Sequence, residues 1–186
     1  MPEDERSALL VVRCQLGERE AFTELVHHWH DALRRYVRAL AGSPQAADDL
    51  AQETWLAVVR SLPRLRQPDR FAPWLFTIAR RTVADHLRRD GTAPVRTMPP
   101  AADGPAEEPP TGGDAFDGVL DTLQIQAGLD ALPPAEREVL VLFHLQDLPL
   151  DGCAEVLGVP SGTVKSRLHR ARRMLRTVLD EKGYDA

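Results

Sequence analysis

Phe22, Leu25, Val26, Trp29, Leu33, Tyr36, Val37 and Leu40 recur mostly at steps of three and four, the period of a helix with one apolar face. The run stops at Gly42, a residue suited to a helix end. Ser43-Pro44 follows, reading as an N-cap and a proline at the first helical position. The pattern predicts a helix from there to about Ser61, stopped by Pro63. Another is expected from about Arg70 to Arg89, closed by Asp90-Gly91, and a short first one from about Glu5 to Leu16, before Gly17. Nothing alternates with period two, so no strand is predicted.

The C-terminal third repeats the helical pattern in shorter pieces. One helix is expected over about Asp121 to Ala131, and another after Pro133-Pro134 carrying Val139, Leu140, Leu142, Phe143 and Leu145. A short helix near Leu150 to Leu157 ends at Gly158-Val159-Pro160, and the last runs from about Ser161 to Leu179. A short helix, a glycine-containing turn and then a basic helix make a helix-turn-helix signature. Between the two helical parts, Gly91 to Gly118 holds six Pro and five Gly in 28 residues. Such a segment buries too little surface to offset the entropy of ordering it. It reads as a semi-extended acidic linker, partly polyproline II, that could span roughly 90 Å when stretched. The expected fold class is therefore all-α, with two small helical domains at residues 1–90 and 119–182 joined by a flexible linker at 91–118.

Charge changes the picture locally. The 186 residues carry a net charge of -5, which at first sight suits no nucleic-acid binder. Residues 1–90 hold 14 Arg against 13 acids, for +1, and residues 91–122 hold one Arg against six acids, for -5. Residues 123–186 hold eight basic and nine acidic residues, for -1. Within that last part Ser161 to Arg176 holds Lys165, Arg167, Arg170, Arg172, Arg173 and Arg176 and no acid, a candidate phosphate-binding stripe. The basic residues are 21 Arg and 2 Lys; Arg offers a planar fork for phosphates and guanine edges. No apolar run approaches the roughly 20 residues needed to cross a bilayer. The acidic start lacks the pattern of a secretory signal, so a cytoplasmic protein is expected. Cys14 and Cys153 are far apart, which excludes a disulfide scaffold and a four-cysteine zinc site.

Three stretches carry candidate chemistry. On the last helix, Val164, Leu168, Ala171 and Leu175 form the buried stripe. Ser161 is placed to cap the helix, whose positive N-terminus suits a phosphate. A helix in the major groove reads bases with its first turns and grips phosphates with its flanks. Thr163, Lys165, Ser166 and Arg167 are candidates for base edges, and Arg170, Arg172 and Arg173 for backbone. On the helix after Ser43-Pro44, Asp49, Gln52, Glu53 and Leu56 share a face beside Asp48. Acids near a helix start favour the dipole, but that does not account for Glu53 and Leu56. A mixed acidic and apolar face suits docking on a basic protein surface. On the next helix, aromatics such as Trp74 precede Arg80, Arg81, Arg88 and Arg89. That order suits unpaired nucleic acid, where bases stack and Arg grips the backbone. Trp74, Leu75 and Ile78 are also compatible with a core.

Asp48-Asp49-Leu50-Ala51-Gln52-Glu53-Thr54-Trp55, Trp74-Leu75-Phe76-Thr77-Ile78-Ala79-Arg80 running to Asp85-His86-Leu87-Arg88, Leu132-Pro133-Pro134, and Gly158 to Arg172 together resemble an extracytoplasmic-function sigma factor of bacterial RNA polymerase. The resemblance covers nearly the whole chain outside the linker. It implies that Asp49, Gln52 and Glu53, with Asp48 and Leu56 on the same face, dock on the clamp coiled coil of the largest subunit of core RNA polymerase. It implies that Arg80, Arg81, Asp85 and Arg88, with Trp74, contact the minus-ten element of promoter DNA as its strands open. Ser161, Thr163, Lys165, Ser166, Arg167, Arg170, Arg172 and Arg173 match the minus-thirty-five reader. The linker matches the family segment near the RNA exit path, and a membrane-bound or soluble anti-sigma protein is implied as a partner.

The chain departs from the family pattern at two places. Pro149-Leu150-Asp151-Gly152 stands where the family usually has a small polar residue, an aromatic and two acids. Gly152 inside a helix costs about 0.5–1 kcal/mol relative to Ala, so a short or frayed helix is expected there. Arg81 replaces an Asn that often follows the first arginine of the minus-ten motif. Two rival classes are weighed. His27 and His30 have the spacing of helical metal ligands, but no third ligand is evident, so a metal-dependent hydrolase rests on that pair alone. A helix-turn-helix repressor or response-regulator output domain would need no acidic helix face. No phosphate loop, nucleophile elbow or catalytic carboxylate pair appears, so neither enzyme activity nor a cofactor or metal is expected.

Overall fold

The structure, a computed structural model, describes residues 3–91 and 122–183. The expected linker therefore lies outside the described residues, save for Gly91. All described elements are helical: α1 (Glu3–Gln15), α2 (Arg19–Ala41), α3 (Pro44–Ser61), α4 (Phe71–Arg89), α5 (Thr122–Asp130), α6 (Pro134–Leu140), α7 (Leu150–Leu157) and α8 (Ser161–Glu181). Two 3-10 turns, Leu62–Arg64 and Pro68–Arg70, join α3 to α4, and a π-helical turn, Val141–Leu145, extends α6.

The helix signals act locally as expected. Ser43 Oγ accepts from the Ala46 amide, with Pro44 opening α3, which satisfies one of the free donors at a helix start. In α2 the buried residues include Leu25, Trp29, Leu33, Tyr36 and Val37, so the periodic stripe is the core face. Around it pack α1, α3 and α4. The centre is aromatic: Trp29 meets Phe71 and Phe76, each at 6.0 Å between ring centroids, and Tyr36 meets Phe76 at 5.1 Å. These tilted and edge-on pairs add to simple area burial. Trp29 Nε1 donates to the Ser7 hydroxyl at 3.0 Å, tying α1 to the same centre.

In the second bundle, α8 buries Val164, Leu168, Ala171 and Leu175, as its spacing predicts, and continues the stripe to Leu179. That face packs on α6, α7 and α5. Gly158 ends α7 at φ 67°, ψ 36°, a left-handed turn that favours glycine and swings the chain into α8. Two expectations are corrected. Ser161 does not cap α8: Pro160 occupies the cap position and makes no side-chain cap bond, leaving Ser161 as the first helical residue. Nor is α7 frayed at Gly152, which is buried. A Cβ there would lie 3.4 Å from Pro73 of α4, so the absent side chain lets two helices approach.

The two bundles are docked. α4 packs on α7, and α2 on α6 and the π-helical turn, so one apolar core runs through both. The end of the π-helical turn is closed by the Gln146 amide donating to the Val141 carbonyl at 3.1 Å, followed by Asp147 at φ 50°. The sequence reading had one plain helix here.

Phe76→Ala removes a fully buried ring that joins Trp29 to Tyr36. It is expected to cost about 3–5 kcal/mol of stability, read as a lowered midpoint in urea unfolding followed by circular dichroism. A loss below about 1 kcal/mol would place the centre of the core elsewhere.

Candidate nucleic-acid and protein interface

On α3, Asp48, Asp49, Gln52, Glu53 and Leu56 are all exposed. Their opposite face buries Leu50, Ala51, Thr54, Trp55 and Val58, which fixes the direction in which the acids point. Arg34 of α2 donates to the Asp48 carboxylate. That hydrogen bond holds the Asp48 pKa below the ordinary aspartate value. Glu53 faces Arg89 of α4 at 3.5 Å. Leu56 is 54% exposed, and Val59, one turn on, is 49% exposed, so the acidic patch continues into an apolar one.

Across a groove from this face stands α4. Glu53, Leu56 and Arg60 line one wall, and Ile78, Arg81 and Asp85 the other. The minus-ten candidates do not share one environment. Arg81, Asp85 and Arg88 are exposed, and Arg88 is paired with Asp85 one turn before it. Trp74 is half-buried, its ring 5.9 Å from Phe71. Arg80 is half-buried and turns away from the groove, its Nε donating to Glu138 of α6 at 2.9 Å.

The exposed side of α8 holds Lys165, Ser166, Arg170 and Arg173, with Ser161, Thr163, Arg167 and Arg172 half-buried. Two of the arginines are positioned from behind. Arg170 pairs with Glu136, a carboxylate only 4% exposed. Arg172 lies over the Phe143 ring, 5.6 Å from its centroid, and its Nε donates to His144 Nε2 at 3.1 Å. Desolvation and the Arg172 charge lower the His144 pKa, which favours the neutral imidazole that can accept this bond. These contacts cost Arg side-chain freedom in advance, so less is lost when the basic face meets a ligand.

Comparison with known proteins reads this layout in family terms. A model of sigma-70 region 2 matches residues 25–92, which span α2 to α4. A model of sigma-70 region 4 matches residues 122–175, which contain α5 to most of α8. The extracytoplasmic-function (ECF) sigma factor SigE of Mycolicibacterium smegmatis is 36% identical over 96% of this chain and 70% of its own length. The ECF sigma factor SigC of Mycobacterium tuberculosis is 32% identical over 93% of this chain and 91% of its own. This chain belongs to the ECF sigma factors. Among solved structures, the Bartonella quintana sigma factor RpoE, in complex with the anti-sigma factor NepR, aligns with a TM-score of 0.67 at 25% identity over 86% of this chain and 96% of its own. CnrH, in complex with the cytosolic domain of CnrY, shares the fold with a TM-score of 0.69 at 24% identity, over 95% of this chain and 98% of its own.

As an ECF sigma factor the protein is an alternative sigma factor that directs transcription initiation, a regulator by family. His27 and His30 are both exposed, and among the described residues no three His, Cys, Asp or Glu side chains gather as a metal site. No described helix is long and apolar enough to cross a membrane. Glu136, Glu138 and His144 escaped the sequence reading, while Tyr36, Phe143 and Gly152 entered it only through the helix pattern and not for these contacts. A partial signal existed for the two glutamates, which flank Arg137 in a short helix otherwise rich in apolar residues.

The Asp48 carboxyl is expected to titrate below an ordinary aspartate, and Arg34→Ala to raise its pKa toward the ordinary value. Carbon-detected NMR of the side-chain carboxyl reads this directly. An unchanged titration in the variant would mean that Arg34 does not hold Asp48 in solution.

Proposed function

We propose that this sigma factor divides its work between the two bundles, with residues 1–90 docking polymerase and reading the minus-ten element and residues 119–182 reading the minus-thirty-five element. The observation that carries the first assignment is the shared groove: Glu53 and Leu56 of α3 face Arg81 and Asp85 of α4. A protein that seats α3 on the polymerase clamp coiled coil thereby holds α4 beside the strands being opened. Asp48, Asp49, Gln52, Glu53 and Leu56 form the docking face, and Arg81, Asp85 and Arg88 lie ready for the minus-ten strand. Trp74 and Arg80 join them from half-buried positions.

For the second assignment α8 enters the major groove by its first turns. Thr163, Lys165, Ser166 and Arg167 face base edges, with Ser161 at the positive helix start. Arg170, Arg172 and Arg173 grip phosphates, and the supports from Glu136, Phe143 and His144 set the directions of the first two. The linker at residues 91–118 lets the two readers engage separated promoter elements. The family, and the NepR complex of the Bartonella quintana relative, support an anti-sigma protein as a further partner. The proposed place of action is the cytoplasm, where polymerase works, and the protein catalyses no reaction itself.

Reversing Asp49 and Glu53 together to Lys is expected to weaken capture of core polymerase strongly, since like charges across a matched interface cost several kcal/mol. Helical content should stay normal, because both side chains are exposed. Undiminished capture by the double variant would remove α3 from the docking surface.

Arg167→Ala is expected to cost about 1–3 kcal/mol at one promoter position and to relax base preference there. Arg173→Ala should weaken all sequences alike and flatten the salt dependence by about one unit. Both are read with the polymerase complex on single-base variants of the upstream element at several salt concentrations. The roles are reversed if Arg173→Ala changes base preference and Arg167→Ala does not. Tight duplex binding without polymerase would favour the repressor reading.

A further inference from the structure

The groove between α3 and α4 has a volume of about 550 Å³, and most of its polar groups are already committed. Of its two carboxylates, Glu53 faces Arg89 at 3.5 Å and Asp85 pairs with Arg88; neither of these arginines lines the groove. Ser61 Oγ donates to the Ala57 carbonyl at 2.6 Å and Thr82 Oγ1 to the Ile78 carbonyl at 3.2 Å, each inside its own helix. Two guanidiniums are left, Arg60 at the end of α3 and Arg81 on α4. Both are exposed, and neither has a hydrogen-bond or salt-bridge partner among the described residues. A basic residue in the last turn of α3 suits the helix dipole. The dipole explains Arg60 by itself, but not a second unpaired arginine on the opposite wall. With the rim included, Arg60, Arg81, Arg88 and Arg89 stand against Glu53 and Asp85, so the groove carries uncommitted positive charge. Between the charges its walls are apolar, from Leu56, Ala57 and Ile78.

The geometry points to a shared phosphate site: Arg60 and Arg81 hold one phosphodiester of the unpaired minus-ten strand between them, which makes Arg60, on the docking helix, a further DNA-binding residue. The inference rests on the assignment of α4 as the minus-ten face. A phosphate has acceptors for two guanidinium forks, and hydrogen bonds between ionised groups are the strong ones. Lining one groove, the two like charges repel each other, and an anion between them relieves that repulsion. The apolar walls receive the adjoining sugar and base, while Arg grips the backbone, as in other single-strand sites. A carboxylate of polymerase is the competing anion. It fits less well, because exposed Asp48, Asp49 and Glu53 make the rest of that α3 face complementary to a basic surface. α3 thus serves both contacts, with its acids toward polymerase and Arg60 toward the strand.

The test uses the full chain with core polymerase and a forked template that exposes the minus-ten strand, with a neutral methylphosphonate linkage placed at one position at a time. Arg60→Ala is expected to weaken binding of the unmodified template about tenfold, the lower end for a hydrogen bond to a charged group. It should also reduce the salt slope by about 0.7, the value for one phosphate contact on a single strand. At one position the neutral linkage should weaken the parent chain by a similar factor and weaken Arg60→Ala and Arg81→Ala no further. Capture of core polymerase without DNA should be unchanged in Arg60→Ala. The site is overturned if every linkage affects the parent chain and Arg60→Ala equally. It is also overturned if Arg60→Ala weakens capture without DNA, which would give the groove to a carboxylate of polymerase. If Arg81→Ala and Arg88→Ala weaken template binding and Arg60→Ala does not, the minus-ten assignment stands and the shared phosphate falls. If none of the three changes it, the assignment of α4 falls as well.

Discussion

The structure depends on the burial of one helix face. α2 carries Trp29, Leu33, Tyr36 and Val37 to the centre of the N-terminal bundle, and α1, α3 and α4 take their places by packing on it. Once that core is filled, α3 has no freedom left in how it faces solvent, and its acids must point outward. α4 is fixed in the same way through Phe71, Leu75 and Phe76, so Arg81 lines the groove beside Glu53. The functional surface is the outside of a helix arrangement decided from within.

The electrostatics follow a similar logic. A chain of net charge -5 binds nucleic acid only if its charges are sorted in space, and the sorting is done by pairing. Glu136 and Glu138 sit almost fully buried, and each meets an arginine assigned to DNA. The first pairing braces Arg170 on α8. The second draws Arg80 across to the other bundle. Acids that would repel a phosphate backbone at the surface are thus placed behind the basic side chains, where they restrict motion.

Much of this was legible in the sequence, because the signals concerned are local. Ser43-Pro44 marks the start of α3 by a cap bond between residues three apart, and the stripes of α2 and α8 follow from helical period alone. The family resemblance supplied the docking and reading faces proposed above. What stayed hidden depends on partners distant in sequence. Tyr36 and Glu138 are 102 positions apart, and neither residue announces the other. Gly152 reads as a weak point in a helix until Pro73 is seen against it. Ser161 looks like a cap by type, yet Pro160 already has the extended backbone that a cap position requires. The π-helical turn carries Phe143 and His144 against Arg172 of α8, a partner 28 positions from His144.

The central claim is that the chain confers promoter choice on polymerase. Its most direct measurement is transcription by purified core polymerase on fragmented genomic DNA, with and without the protein, followed by sequencing of transcript 5′ ends. The account predicts new start sites that appear only with the protein and share two sequence elements upstream, at a constant separation. The same starts with and without the protein, or reduced transcription across its binding sites, would contradict it.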